Sequence, residues 1–148
     1  MMRRRFPATV LLLFAVLLIG CNTSRPAADA APPPTAVQEP AVYGFIDKPV
    51  PKERVARTVV VAGWTFATGS PVREVAIWLD GQKVAVAAYG GARPDVAKQY
   101  PAHPAAALSG WYTEVNAASL PPGAHEIVVR AALANGTERP LGTVSISK

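Results

Sequence analysis

The sequence predicts an all-β domain, an antiparallel sandwich of about seven strands, and three observations carry that prediction. Short runs rich in β-branched and aromatic residues recur at close, regular spacing between residues 41 and 148. Strong turn marks separate them, at Asp80-Gly81, Pro121-Pro122-Gly123 and Asn135-Gly136. No long stretch carries the helical period of apolar residues.

Taken in order, Val42–Ile46 forms the first strand, and Asp47-Lys48-Pro49 a turn in which the aspartate can close an Asx-turn. Arg57–Ala67 is β-branched and aromatic, interrupted by Gly63, which marks a bulge or a close backbone approach. Arg73–Tyr89 holds the clearest local signal, two alternating runs around Asp80-Gly81 that read as a hairpin. A two-residue turn there pairs Leu79 with Gln82, Trp78 with Lys83, Ile77 with Val84 and Val75 with Val86. Apolar then meets apolar on one face, while Trp78 and Lys83 share the other. A slip of one residue would set Ile77 against Lys83 and lose the match. Gly110–Val115, His125–Leu133 and Pro140–Ser147 complete the set. In the second of these, His125, Ile127, Val129 and Ala131 face inward, with Glu126 and Arg130 outward.

Between the fourth and fifth strands lies the run from Tyr89 to Pro104, YGGARPDVAKQYPAHP. Pro94 suits the first position of a helix, Asp95 faces its positive end, and Pro101 stops it. A short helical turn around residues 93–101 results, with Val96 and Tyr100 four apart on one face, turned toward the sandwich. Arg93 pairs with Asp95 or binds the loop's own carbonyls, so both residues read as structural parts of a plug.

The N-terminus carries a different message. Arg3, Arg4 and Arg5 precede an apolar run from Val10 to Ile19 that falls short of the about 20 residues a membrane span needs. Residues 1–20 therefore read as a signal peptide. The tetrapeptide Leu18-Ile19-Gly20-Cys21 resembles the lipobox of bacterial lipoproteins. That resemblance implies cleavage before Cys21, diacylation of its sulfur and acylation (palmitate) of the new N-terminus, so that the membrane is a partner through the lipid. Cys21 is the sole cysteine, and lipid would leave no thiol for disulfides or catalysis. Asn22 stands where an aspartate would favour inner-membrane retention, so an outer-membrane address is expected in a cell with two membranes.

Residues 21–40 then form a disordered Pro/Ala-rich tether behind the lipidated cysteine. Extended at about 3.1 Å per residue, it reaches on the order of 60 Å. Residues 41–148 have the size of one domain. The net charge of +5 is largely a property of the leader. Losing Arg3–Arg5 takes Lys/Arg from 15 to 12 against 10 Asp/Glu, leaving the remainder near +2. No clustered basic stripe marks a nucleic-acid partner.

An ordered set of short motifs runs through the domain: Gly44-Phe45-Ile46-Asp47-x-Pro49, Gly63-Trp64, Asp80-Gly81, Arg93-Pro94-Asp95-Val96, Tyr100-Pro101, Gly110-Trp111 and Gly123-x-His125. Together, over Tyr43 to Lys148, they resemble a bacterial immunoglobulin-like (Ig-like) accessory module of exported proteins. The resemblance implies an Ig-like sandwich and a non-catalytic role, and supplies no ligand.

Grouped chemistry is sparse. His103 lies between Pro101 and Pro104 without a nearby carboxylate, and His125 takes an inward strand position as a hydrogen-bonded structural residue. Beyond the leader the aspartates Asp29, Asp47, Asp80 and Asp95 are scattered, and no cluster has metal-ligand spacing. No enzyme activity, metal or cofactor is expected. Recognition fits better. Trp78 beside Lys83, with Tyr100, Trp111 and Tyr112 near the long loop, can form an aromatic platform for a protein partner in the envelope. The same residues suit a carbohydrate or peptidoglycan strand, while Trp64 and Trp111 also suit packing.

Overall fold

The computed structural model describes residues 39–148. The expected leader, Cys21 and most of the tether lie outside the described residues. Among the described residues, no helix is long and apolar enough to cross a membrane.

The elements follow in the order β1 (Val42–Lys48), β2 (Glu53–Arg54), β3 (Thr58–Ala67), β4 (Val72–Leu79), β5 (Gln82–Val86) and β6 (Ala88–Gly91). Then come α1 (Pro94–Gln99), a 3-10 turn (Pro104–Leu108), β7 (Gly110–Asn116), β8 (Ala124–Leu133) and β9 (Glu138–Ser147). Two sheets form, ordered β1-β3-β7-β6 and β2-β9-β8-β4-β5. Every pairing is antiparallel except the short parallel contact of β2 with β9. This is the strand order of an Ig-like β-sandwich, as the sequence predicts.

The strands that the sequence does not announce are β2 and β6. Both are made where the chain crosses between sheets. After β1 the chain turns at buried Pro49, and β2 joins the opposite sheet through Glu53↔Ile146. After β5 it crosses at buried Ala87, so Ala88 and Tyr89 pair with β7 instead of extending the hairpin.

Alternation decides what is buried. Val59 and Val61 of β3 pack inward with Val75, Ile77, Trp111, Ile127, Val129 and Ile146, whereas Val60 between them is exposed. Each such aliphatic side chain contributes about 1.5–3 kcal/mol when fully buried. The inward set His125, Ile127, Val129 and Ala131 is buried as expected.

Two local expectations need correction. The hairpin keeps Leu79↔Gln82 and Trp78↔Lys83, but then shifts to Ile77↔Ala85 and Ala76↔Val86. Val84 is the extra residue of a bulge, which edge strands accommodate readily. Small Ala85 thereby packs on the core while Val84 and Val86 turn out to solvent. Asp47, in turn, closes no Asx-turn. It sits in β1, at the register shift between Ile46 and Lys48, and its carboxylate accepts from Arg93.

Gly63 makes the close approach its position suggests. A Cβ there would overlap the Phe45 carbonyl oxygen and lie 2.5 Å from Cζ2 of Trp111. The bulge belongs to β1, on the strand facing it.

Candidate binding face

The inward positions of β3 are Val59 and Val61, so Ala62, Trp64 and Phe66 project from the opposite, outer side of the four-stranded sheet. Register sets Tyr43 beside Phe66 and Phe45 beside Trp64, while β7 places Gly110 beside Trp64 and Tyr112 beside Ala62. An aromatic field results on a face that a half-solvated sheet would fill with polar residues.

Part of this field is covered by the run from Pro94 to Leu108. Val96 of α1 and Ala106 of the 3-10 turn are buried against Phe66, with Tyr43, Trp64 and Tyr100 around them. Tyr43 stacks on Phe66 at 5.0 Å between ring centroids, and Tyr100 meets Phe66 edge-on at 5.2 Å. His103 joins the same cluster, 5.4 Å from Phe66. The short helix starts at Pro94, and Val96 and Tyr100 do share the face turned to the sheet.

Arg93 ties this cover to the sheet. Its Nε and Nη2 donate to the two carboxylate oxygens of Asp95 at 2.9 and 2.7 Å, and Nη1 donates to Asp47 at 2.7 Å. The paired guanidinium pulls the Asp95 carboxyl down to about 2, and the same contacts hold Arg93 above its usual pKa. The Arg93 stem passes over Gly110, where a Cβ would come within 3.2 Å of it. The chain thus carries a cross-strand clamp between β1 and the residue preceding α1.

Beside the clamp lies an open groove of about 370 Å³. Arg93, Asp47 and Tyr112 line it together with the small residues Ala62, Ala88 and Gly110. A second depression runs along Tyr43, Phe45, Trp64 and Tyr100. Phe45 is 60% exposed and Tyr112 is 48% exposed. The Tyr112 hydroxyl donates to Glu114, whose carboxylate raises the phenol's pKa.

The five recognition residues read from the sequence do not converge. Trp111 and Tyr112 are adjacent on β7 and point to opposite sides, Trp111 into the core and Tyr112 out to solvent. Tyr100 packs on the outer face of the four-stranded sheet. Trp78 and Lys83 lie on the other sheet, paired across the β4–β5 hairpin. There Arg130 covers the Trp78 ring at 4.9 Å and Lys83 pairs with Glu74. Sequence reasoning missed Phe45, Trp64 and Asp47 as members of one face. Alternation along β1 and β3 could have found all three, since Tyr43, Phe45 and Asp47 stand two apart on β1; only the Arg93 partner of Asp47 has no local signal.

His125 has a structural place. Its Nδ1 lies 2.7 Å from Asp80 and its Nε2 2.8 Å from the Pro121 carbonyl, so both ring nitrogens donate when the ring is charged. Asp80 also accepts from the Glu126 amide. These partners, Asp80 foremost, raise the pKa of His125, and the Glu126 amide and His125 lower that of Asp80. Among the described residues, no three His, Cys, Asp or Glu side chains are placed to hold a metal ion.

No protein-family model and no curated protein matches the chain. Solved structures do. Fibronectin(III)-like modules of CbhA from Clostridium thermocellum superpose with a TM-score of 0.50 at 13% identity, over 71% of this chain and 93% of that one. The endo-beta-1,4-mannanase from Thermotoga petrophila gives 0.48 at 10% identity, over 75% of this chain and 20% of that one. The first likeness places the domain among Ig-like and fibronectin-type sandwiches. It is a likeness of fold.

Proposed function

We propose that the chain is a lipid-anchored protein of the bacterial cell envelope whose Ig-like domain binds another envelope component without catalysis. The contact surface is the outer face of the four-stranded sheet. One observation carries this reading: that face leaves Tyr112 exposed at the groove and Phe45 exposed at the neighbouring depression, although a helical cover already buries residues beside them. Contiguous exposed apolar surface of this kind marks interaction sites. The basic residues Arg3–Arg5, the apolar run and the Leu18–Cys21 motif support the anchor, and the Cys21 acyl chains supply the membrane contact.

Two measurements test it. Palmitate should label the wild type and not Cys21→Ala; an unlabelled wild type removes the anchor. Purified full-length chain should co-sediment with envelope fragments stripped of lipid, and a Phe45→Ala, Tyr112→Ala double variant should not. Equal retention of the two proteins would move the contact surface elsewhere.

A further inference from the structure

The groove beside the clamp has a chemical character that narrows its ligand. Most of its lining is Gly and Ala, with Ala62, Ala88 and Gly110 on the sheet between Tyr112 and Arg93, which leaves room for a flat molecule. Its volume of about 370 Å³ falls in the range of small-ligand sites.

The polar end is only partly used by the protein itself. A guanidinium carries five N–H donors, and Arg93 spends three of them on Asp95 and Asp47. Two N–H groups remain. Asp47 accepts from Arg93 through Oδ2, and its side chain is 41% exposed, so Oδ1 keeps its lone pairs for another donor. Donors and acceptors therefore stand side by side at fixed positions. A hydroxyl group is both donor and acceptor, so two neighbouring hydroxyls can accept from Arg93 while donating to Asp47. At the opposite end the hydroxyl of Tyr112 is tied to Glu114, which holds its ring as a flat apolar surface.

Charge favours a neutral ligand over an anionic one. Arg93 brings one positive charge, and Asp47 and Asp95 bring two negative ones within 2.7 Å of it. Glu114 adds a further negative charge beside Tyr112, and Lys48, paired with Ala62 of the groove, adds a positive one, so three negative charges stand against two positive. A phosphate or carboxylate entering the groove meets net repulsion, whereas an uncharged ligand does not.

We infer that this groove binds an uncharged, pyranose-containing glycan, with adjacent ring hydroxyls on Asp47 and Arg93 and an apolar sugar face on Tyr112. The inference rests on the reading of this sheet face as the binding surface. It adds the ligand class, and it assigns to Arg93 a second task beyond holding the loop.

The test titrates the full-length chain in detergent with neutral hexasaccharides of β-linked glucose, mannose and N-acetylglucosamine, with oligogalacturonate as the anionic probe. At least one neutral sugar should bind. Tyr112→Ala and Asp47→Ala should each weaken it by about tenfold, and Trp78→Ala, on the other sheet, should leave it unchanged. Thermal melts of the same variants confirm that they are folded. The inference is overturned if no neutral sugar binds, if oligogalacturonate binds as well as they do, or if binding survives both substitutions. Sedimentation with envelope fragments keeps the two readings apart. If it still depends on Phe45 and Tyr112 while sugars fail, only the glycan assignment falls; if it too is lost, the binding face falls with it.

Discussion

The two outer faces of the sandwich carry similar side chains and dispose of them differently. On the five-stranded sheet, Trp78 lies under the Arg130 guanidinium and Lys83 pairs with Glu74, so these two are answered by neighbours on the same face, while Val84 and Val86 of the edge strand are left to solvent. On the four-stranded sheet, Phe66 and Tyr43 need a separate piece of chain, Pro94 to Leu108, to cover them. That cover stops short of Phe45 and Tyr112. A face closed by its own side chains has little left to offer a ligand, whereas a face closed by an added segment has a rim.

If this contrast is right, perturbations should rank accordingly. Phe66→Ala removes the ring on which Val96, Tyr100 and Tyr43 all converge and should cost about 3–5 kcal/mol in urea denaturation. A cost near 1 kcal/mol would mean that the cover is loosely held. Gly63→Ala should cost about 3 kcal/mol, because the methyl would meet the Phe45 carbonyl and the Trp111 ring with no flexible side chain to yield. Trp78→Ala on the self-closed face should cost only about 1–2 kcal/mol, from lost burial and the Arg130 contact. A value equal to that of Phe66→Ala would erase the distinction between the faces.

A smaller effect should appear with pH. The folded pKa of His125 is raised, so the stability it contributes is fully present below its unfolded value of about 6.5 and is lost as pH rises through the folded value. Melting temperature should therefore fall over that rise in wild type and lose this component in His125→Gln. Parallel profiles for the two proteins would show that the imidazole is held uncharged. Least of all, Lys83→Ala should change stability by under about 1 kcal/mol, since the pair with Glu74 is largely solvated.

Much of the fold was legible because alternation is a local signal. Ile127 and Val129 could be assigned inward from spacing alone, and Asp80-Gly81 announced its turn, whereas the unbroken run Val59-Val60-Val61 carries no such signal. The short helix was legible for a similar reason, since Pro94, Asp95 and Pro101 punctuate it within a few residues. The hairpin register was not, because Val84 and Ala85 are both apolar and only the tertiary fit of a small residue against the core selects Ala85. The outer aromatic face was hidden more deeply. Trp64 and Phe66 look like core residues, and Phe66 is fully buried and Trp64 partly so, but by a segment about 30 residues further along the chain. Arg93 finds Asp47 across 46 positions, a distance over which no pattern carries. Trp111 and Tyr112 show the converse: a period of two separates neighbours on one strand, so alternation alone rules out a platform containing both.

The β1–β3 ladder gives the domain a mechanical character. It runs from Val42↔Ala67 to Lys48↔Ala62, and the chain enters it at the Val42 end. With the N-terminus anchored and the groove occupied as proposed, a pull on the entering chain acts along the strand axis and not across it. The backbone hydrogen bonds then share the load together and do not open one after another, as a zip would. Strand β1 is thereby arranged as a shear joint between whatever holds the N-terminus and whatever occupies the groove.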